Sequence, residues 1–361
     1  MHVCPPAEMT RELEAWRTLA EQRGEIWHEW LPDERGNWRG VGYWSRRLQE
    51  LAADRKGPRV WVFHDGWGAD LLPPAGEDEW RVALLHAPYP HMRFVGDYLA
   101  RYVHAFVLPD EATKAKLKQE ISWLPTRIMH VQPLPLPWRD EAQGAEHVPT
   151  SAQEVMGFNG WVRRPQQRVE RLFPLIERLR DSGWRGRFEV LGRGPDVDWL
   201  EKEARKQGID LQIVPPPAQD FDPAAIAHWR YAWSVSSFES TSLARLEAWS
   251  AGVVPIYPQE DHLDASDALK DCRYTYHDID AAVDTWRDLE RRSGFAWQGL
   301  VAAGQGIVQT HLRAAQQWPA TLQTILEQRK ARLSCKPVAR WWPQKLYQQR
   351  YRQRLWGRVK G

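Results

Sequence analysis

The chain has 361 residues, of which 43% are apolar and 27% charged, so it is long enough for about two globular domains. Its net charge of +2 argues against a protein that binds nucleic acid through its overall charge. Three widely separated cysteines without a CxxC pair argue against a zinc site or a disulfide framework, and they fit a reducing compartment.

The first half of the chain alternates short β-rich runs with helical stretches, as expected for a parallel sheet. Its start lacks the apolar core of a signal peptide, and no window has the ~20 apolar residues of a membrane span, so we expect a soluble, cytoplasmic protein. The predicted elements are a helix over about 8–22, a strand in GEIWHEWL, a helix in YWSRRLQELAADR, strands in RVWVFHD, VALLHAP and HAFVLPD, a helix in EATKAKLKQE and a strand in RIMHVQPL.

The second half repeats the alternation. A strand in EVMGFNG precedes a helix in QQRVERLFPLIERLRDSG, and a strand in RFEVLGRG precedes a helix in VDWLEKEARKQG that ends at a C-capping glycine. Strands are then predicted in LQIVPP, YAWSVSSF and VVPIYP, and residues 280–333 are mostly helical. We therefore predict an α/β fold with an N-terminal domain (1–137), a polar linker (138–153), a C-terminal domain (154–330) and a tail (331–361).

Tryptophan is unusually frequent, with 22 residues. Large aromatic side chains most often fill cores and domain interfaces, while a few line surfaces that bind sugars or lipids. Composition alone leaves both uses open.

The most informative stretch is SFESTSLARLEAWSAGVVPI, residues 237–256. The strand before it ends at Phe238, and Ser240, Thr241 and Ser242 are typical helix N-caps. Unpaired N–H groups at that helix start would favour a phosphate, with the two glutamates accepting sugar hydroxyl groups. The alternative is an ordinary helix capped by Ser242, with both glutamates in solvent.

The run from Glu239 to Glu247, continued by EAWSAGVVPI, resembles the E-x7-E signature of retaining GT-B glycosyltransferases of the glycogen synthase and sucrose synthase superfamily, family 4 or "group 1". The units EVMGFNGWVRR and RFEVLGRGP are similar to the first two units of that family's C-terminal domain. The resemblance covers most of 154–260 and, more weakly, 24–136. It implies the GT-B fold, with two Rossmann-like parallel-sheet domains facing each other across a cleft.

The resemblance also assigns roles to residues. Glu239 would face the donor sugar, Glu247 would accept hydrogen bonds from the ribose, and backbone N–H groups near Ser242 and Leu243 would hold the diphosphate. The family commonly has arginine and lysine just after the glycine equivalent to Gly160. This chain has Trp161 and Gln166 at the nearest positions, so substitutes are expected among three nearby arginines, Arg163, Arg164 and Arg168. A solvated arginine cluster is the alternative.

Two features of the N-terminal half resemble the same family. The loop GNWRGVGY, with Gly40 and Gly42, is similar to its glycine-rich loop that faces the acceptor and the diphosphate. His86, at the end of VALLHAP, resembles its histidine that faces the donor sugar. His64, at the end of the preceding strand, is a rival for that role, and a structural histidine is the alternative for either.

The function that the resemblance implies is metal-independent, retaining transfer of a sugar from a nucleotide-diphosphate sugar. The helix dipole and basic side chains would take the place of a cation. The acidic pair in DVDW (196–199) more readily opens a helix than binds a metal. We expect no cofactor and a glycan or glycolipid acceptor of envelope polysaccharide or lipopolysaccharide synthesis. A binding subunit without turnover and a nucleotide-sugar 2-epimerase are the alternatives.

The tail, residues 331–361, contains nine Lys or Arg and no acid, with interleaved tryptophan and tyrosine. One interpretation is a segment attracted to an anionic membrane surface, which would place the protein peripherally on the inner membrane face. Contact with nucleic acid and a helix packed on the N-terminal domain are the other two, and nucleic acid is the least favoured.

Overall fold

A computed structural model of the chain describes residues 1–4, 11–29, 41–53, 57–66, 68–86, 92–136, 155–214, 223–236, 243–258 and 275–328. Contacts divide the chain into a first unit, Met1–Pro135 with Ala314–Gly361, and a second unit, Leu136–Arg313. The predicted C-terminal domain extended to residue 330, whereas this division assigns residues from Ala314 onward to the first unit. The predicted linker and tail lie outside the described residues.

The first unit contains a six-stranded parallel sheet with the order β2-β1-β3-β4-β5-β6. Its strands are β1 (His2–Cys4), β2 (Trp27–Glu29), β3 (Arg59–His64), β4 (Glu79–Leu84), β5 (Ala105–Leu108) and β6 (Met129–Val131). The helices before residue 136 are α1 (Arg11–Gln22), α2 (Val41–Ala53), α3 (Met92–Leu99) and α4 (Glu111–Glu120). Because β1 and β3 are neighbours and β2 lies on the other side of β1, the strand order reverses there, where open α/β sheets bind ligands.

Local chemistry explains α4, whose predicted bounds are confirmed. The Asp110 side chain accepts a hydrogen bond of 2.6 Å from the Thr113 N–H and so caps the first turn. Strand β1 and helix α3 were not predicted from the sequence. Three residues are too few to show an alternating pattern, although His2, Val3 and Cys4 are all buried.

The second unit contains another six-stranded parallel sheet, with the order β12-β11-β10-β7-β8-β9. Its strands are β7 (Val155–Trp161), β8 (Arg187–Arg193), β9 (Leu211–Val214), β10 (Tyr231–Trp233), β11 (Val254–Pro258) and β12 (Thr275–Tyr276). The later helices are α5 (Arg164–Gln167), α6 (Leu172–Asp181), α7 (Val197–Lys206), α8 (Leu243–Ser250), α9 (Ile279–Glu290) and α10 (Gly294–Glu327). This is the strand order of dinucleotide-binding domains, and it reverses between β7 and β10.

Two predicted elements differ from the structure. The helix predicted over 166–183 is interrupted because Arg168 adopts a left-handed conformation with φ 48°, which ends α5 before α6 begins. The strand predicted in YAWSVSSF is regular over Tyr231–Trp233, and the Ser234 N–H still donates to the Ile256 carbonyl oxygen at 2.9 Å; the end of the predicted strand lies outside the described residues. Among the described helices, none combines the length and the apolar character needed to cross a membrane.

Candidate functional site

The carboxyl end of β7 is shaped by glycines that let backbone segments approach closely. Gly160 is in register with Gly192 of β8, and a Cβ atom at Gly192 would lie 2.4 Å from the Gly160 carbonyl oxygen. A Cβ atom at Gly194 would lie 2.3 Å from the Val162 carbonyl oxygen. Only glycine fits at Gly192 and Gly194, so the end of β8 packs closely against the end of β7, next to the place where the strand order reverses.

Helix α8 is held against the end of β7 by a buried polar contact. The Asn159 side-chain amide donates to the Glu247 carboxylate and to the Ala244 carbonyl oxygen, both at 2.9 Å. Glu247 is fully buried, so the alternative in which both glutamates are solvated does not hold for this one. Leu243 begins the helix and is also buried. Glu239 and Ser242 lie outside the described residues.

The three predicted arginines lie together on the turn after β7 but differ in their contacts. Arg164 is held by Asp196: its backbone N–H and its Nε donate to the carboxylate at 2.9 and 3.0 Å. Its guanidinium group also lies 4.4 Å from the centre of the Trp199 ring. Among the described residues, no acidic side chain pairs with Arg163 or Arg168. These two arginines therefore remain able to meet an anionic ligand, while Arg164 is occupied.

Asp196 explains the acidic pair in DVDW. As predicted, this segment opens a helix, since α7 begins at Val197, directly after Asp196. The Asp196 side chain does not cap that helix but binds Arg164 instead. This ion pair joins the turn after β7 to the turn after β8.

Backbone strain marks one position in each unit. Within the described residues, Asp65 (φ 51°) and Arg168 (φ 48°) are the two non-glycine residues with positive φ. A left-handed conformation costs such residues ~1–2 kcal/mol and is concentrated at functional sites. Arg168 belongs to the arginine turn, and the Asp65 carboxylate accepts a hydrogen bond of 3.1 Å from the His86 backbone N–H.

In the first unit, the two rival histidines contact each other. His64 ends β3, and its Nδ1 lies 2.9 Å from Nε2 of His86, with the two rings stacked at 5.1 Å between centres. His64 is fully buried and His86 is partly exposed, so His86 is the one that a ligand can reach. A small cavity beside His86 is lined by Trp16, Leu84, Leu85, Val107, Leu108, Pro109, Gln132 and Leu134.

The predicted glycine loop is less supported by the structure. Helix α2 begins at Val41, so Gly42 is its second residue and not part of a loop. It is exposed, with open space where a Cβ atom would be, so nothing in the described structure requires glycine there. Gly40 lies outside the described residues.

The sequence did not indicate that the histidine pair continues into a longer chain of hydrogen bonds. Nε2 of His64 lies 3.0 Å from Nδ1 of His2, and Nε2 of His2 lies 2.7 Å from the Glu25 carboxylate. The other Glu25 oxygen accepts a hydrogen bond of 2.9 Å from Nε of Arg23. These contacts span 63 residues of sequence and depend on strand β1, which no pattern in the sequence revealed.

Burial and hydrogen bonding set the protonation states of His2, His64 and Glu25. It lowers the pKa of His64 well below the usual value of 6.5, and it lowers the pKa of His2 despite the opposing hydrogen bond to Glu25. For Glu25, burial opposes ionisation, but hydrogen bonds from His2 and Arg23 outweigh it and lower the pKa to about 2. At neutral pH the two buried imidazoles are therefore neutral and Glu25 is ionised.

Three tryptophans enclose the buried histidines. Trp27 stacks on His2 with 5.4 Å between ring centres, and it meets His64 edge-on at 4.9 Å. Trp16 and Trp318 cover the opposite side and contact each other at 5.0 Å. We call Trp16, Trp27 and Trp318 the tryptophan cage. Trp16 and Trp318 are buried and Trp27 is half-buried, so packing against other side chains, the commoner of the two uses considered for tryptophan, accounts for them.

No model of a protein family matches the chain, and no curated protein matches it. Among solved structures, the UDP-forming α,α-trehalose-phosphate synthase of Burkholderia vietnamiensis matches with 15% identity and a TM-score of 0.64, covering 87% of this chain and 83% of its own. The catalytic domain of starch synthase IV from Arabidopsis thaliana, bound to ADP and acarbose, matches with 13% identity and a TM-score of 0.59, covering 90% and 99%.

TarM of S. aureus, solved as a mutant with fondaparinux, α-GlcNAc-glycerol and UDP, matches with 12% identity and a TM-score of 0.61. The match covers 80% of this chain and 59% of the TarM chain, so this chain spans about three fifths of that relative's length. These solved structures are GT-B glycosyltransferases, and the predicted α/β fold with two parallel sheets is confirmed.

Proposed function

We propose that the chain is a retaining glycosyltransferase that moves a sugar from a nucleotide-diphosphate sugar to a glycan or glycolipid acceptor. The observation that carries the proposal is the Asn159–Glu247 contact at the β7–β10 reversal, because it places a buried carboxylate where a Rossmann-like sheet binds a nucleotide. Glycosyltransferase structures of the same fold, crystallised with UDP or ADP, support this class of donor.

The charges on the arginine turn fit a diphosphate. Arg163 and Arg168 carry permanent positive charge, and α8 begins next to the same sheet edge with N–H groups of its first turn. Together they would stabilise the leaving diphosphate, so we propose that the reaction needs no metal ion. Glu239 and His86 are the residues we assign to the reacting sugar, and Ser242, Leu243 and Glu247 those we assign to the nucleotide diphosphate.

The donor is testable by ligand-induced stabilisation. A ligand that binds only the folded state raises the melting temperature, so a thermal-shift screen of nucleotide-diphosphate sugars should identify one or more donors. Arg163→Ala and Arg168→Ala should each weaken donor binding about tenfold, as expected for loss of one charge-assisted contact. Arg164→Ala is the matched control, because Asp196 already occupies its guanidinium group. A larger loss in the control than in the other two would assign the phosphate to Arg164 instead.

The chemistry is testable with the donor that the screen identifies. Transfer with retention should give a product whose anomeric configuration, read by NMR, matches that of the donor. Glu239→Ala and His86→Ala should abolish transfer, and a chelator should leave the rate unchanged. Full activity in both variants would refute these assignments, and an inverted product would refute the retaining mechanism.

A donor-binding protein without turnover is the second candidate. It is favoured by Trp161, which stands where the family commonly has arginine, and by the engagement of Arg164 with Asp196. Donor binding in the thermal-shift screen, with neither transfer nor donor hydrolysis over long incubation, would select this candidate over the enzyme.

We also propose that residues 331–361 attach the protein to anionic membranes, since a glycolipid acceptor would lie there. The full chain should sediment with vesicles that contain anionic lipid and not with neutral vesicles. Replacing Arg350, Arg352 and Arg354 by glutamine should weaken this binding markedly, at ~1 kcal/mol for each basic residue near the surface. Equal sedimentation of the wild type and the variant would refute it.

A further inference from the structure

We propose that Glu25, His2 and His64 are positioning residues that hold His86 in the tautomer with its proton on Nε2 and its lone pair on Nδ1. The use of this tautomer in sugar transfer rests on the proposed function. The tautomer itself can be measured without any substrate.

Glu25 is the charged end of this series of hydrogen bonds. An ionised carboxylate can only accept hydrogen bonds. Because the Glu25 oxygen lies 2.7 Å from Nε2 of His2, that nitrogen must carry the proton. His2 is buried and neutral, so its Nδ1 has a lone pair and must accept the hydrogen bond from its next neighbour.

In the next two contacts, too, one nitrogen of each neutral ring donates and the other accepts. Nε2 of His64 lies 3.0 Å from Nδ1 of His2 and must donate to it, which leaves Nδ1 of His64 as an acceptor. Nε2 of His86 lies 2.9 Å from Nδ1 of His64 and must donate in turn. In neutral His86, the lone pair is then on Nδ1. One carboxylate near the surface thereby fixes the proton positions in three imidazole rings.

The surroundings keep this arrangement from relaxing. The tryptophan cage excludes water from His2 and His64, so neither ring can exchange its histidine partner for a solvent molecule. An unpaired ring nitrogen in this environment would be costly, and both contacts must therefore be kept.

The same hydrogen bonds could instead conduct a proton from His86 to Glu25. A proton taken up at Nδ1 of His86 would move along Nε2–H bonds and finish on Glu25, with every ring changed to the Nδ1–H form. The low pKa of Glu25, about 2, makes this carboxylate a poor final acceptor at neutral pH. Its bond with Arg23 also favours the ionised state, so we assign Glu25 a fixed role as acceptor.

The test is ¹⁵N NMR of the full chain with labelled histidine, in which the protonated and bare ring nitrogens resonate at different shifts. We expect His2, His64 and His86 to be Nε2–H tautomers at neutral pH. His277 is the reference for a ring at the surface, exposed and 3.2 Å from the Asp278 carboxylate. A wild-type spectrum in which His86 carries its proton on Nδ1 would overturn the proposal, whatever the behaviour of any variant.

Glu25→Gln tests the direction of control. Arg23 should hold the amide oxygen and turn the NH2 group toward Nε2 of His2, which must then accept. All three tautomers should reverse, and His86 should gain an Nδ1–H signal more than 60 residues away in sequence. Glu21→Gln is the matched control, since that exposed carboxylate near the end of α1 pairs with the exposed Arg17 and belongs to no histidine contact among the described residues. A folded Glu25→Gln variant whose His86 tautomer is unchanged would overturn the proposal.

A second measurement links the tautomer to catalysis. With the donor found by thermal shift, Glu25→Gln should lower kcat/KM about tenfold, because His86 is then in the other tautomer, while Glu25→Asp should restore most of it. If the tautomers behave as expected but no donor is turned over, the proposed function fails and the positioning of His86 stands.

Discussion

The two sheets are both parallel and both reverse their strand order, but the side chains at their carboxyl ends differ in charge. In the first unit, the site around His86 rests on neutral, buried imidazoles within the tryptophan cage. In the second unit, the turn after β7 carries the permanently charged side chains of Arg163 and Arg168, both partly exposed. Parallel α/β topology provides a place for a ligand, and the residues that follow each strand decide what it can bind.

The contrast separates two tasks of sugar transfer. A neutral ring with a fixed proton position suits an uncharged hydroxyl group, for which direction matters more than charge. Exposed arginines and helix N–H groups suit a diphosphate, for which charge matters most. Changes in the first unit should therefore disturb stability and proton positions, while changes on the arginine turn should disturb anion binding with little effect on folding.

The largest expected effect is that of His64→Ala. Removing a fully buried ring leaves a cavity and deprives His2 and His86 of a hydrogen-bond partner, at a cost of about 3 kcal/mol. Hydrogen exchange read by mass spectrometry should show this loss in peptides from β3, β4 and β5 and no change in those from β7 and β8.

His277→Ala is the control for that change, because its ring is exposed and lies in the second unit. It should leave exchange unchanged throughout. Equal acceleration of exchange in both units by His64→Ala would mean that the two units unfold together. The two units would then differ in the chemistry of their sites but not in their stability.

The second effect is a dependence of stability on pH that is confined to the first unit. The pKa values of His2 and His64 are lowered on folding, so the unfolded chain binds more protons as the pH falls through the unfolded value of 6.5. Stability should therefore decrease between about pH 7 and pH 6, by about 0.7 kcal/mol for His64, with a further loss in the same direction from His2. Hydrogen exchange corrected for its intrinsic pH dependence measures this loss.

Glu25 adds a separate loss at lower pH. Its pKa is about 2 in the folded chain against 4.5 when unperturbed, so its contribution is complete above about pH 4.5 and disappears as the pH falls toward 2. Peptides from the second unit serve as the internal reference between about pH 7 and pH 6; at lower pH Glu189, whose pKa is lowered because burial is outweighed by hydrogen bonds from Trp229 and His228, adds a loss of its own in that unit. A pH-independent first unit between about pH 7 and pH 6 would contradict the burial of the two neutral rings.

The smallest effect concerns Arg168, whose left-handed conformation suits glycine. Arg168→Gly should leave stability unchanged or raise it by about 0.5 kcal/mol, since relief of strain exceeds the entropic cost of glycine. Donor binding should nevertheless weaken, because the charge is lost. Arg164→Ala should do the reverse, with a loss of about 0.5 kcal/mol in stability and little effect on the donor. Calorimetry and ligand titration of both variants measure the two quantities.

The regular part of the fold could be predicted from the sequence. Helix α4 and strands β7 and β8 show clear periodicity or uninterrupted apolar runs. The spacing of Glu247 from Glu239 left a capped helix and a site both open, and the site was predicted from the family resemblance. The structure supplies what spacing lacks, namely that Glu247 is buried and bonded to Asn159. The different roles of the three arginines could not be predicted, because they depend on Asp196 and Trp199 from another turn.

The histidine chain was beyond prediction for a related reason. His2 is one of three residues in a strand too short to show a pattern, and Glu25 lies just after a helix among ordinary surface residues. Their pairing with His64 depends on the register of β1 against β3. Long-range register is set by the whole sheet, so no local stretch of sequence contains it.

Helix α10 has a consequence for the synthesis of the protein. Its residues from Ala314 onward group with the first unit, where Trp318 is fully buried against Trp16. A chain emerging from the ribosome exposes Trp16 about 300 residues before its partner is made, whereas the second unit is continuous in sequence. The second unit can therefore complete its core first, and the unit that begins the chain is the one whose core is completed last.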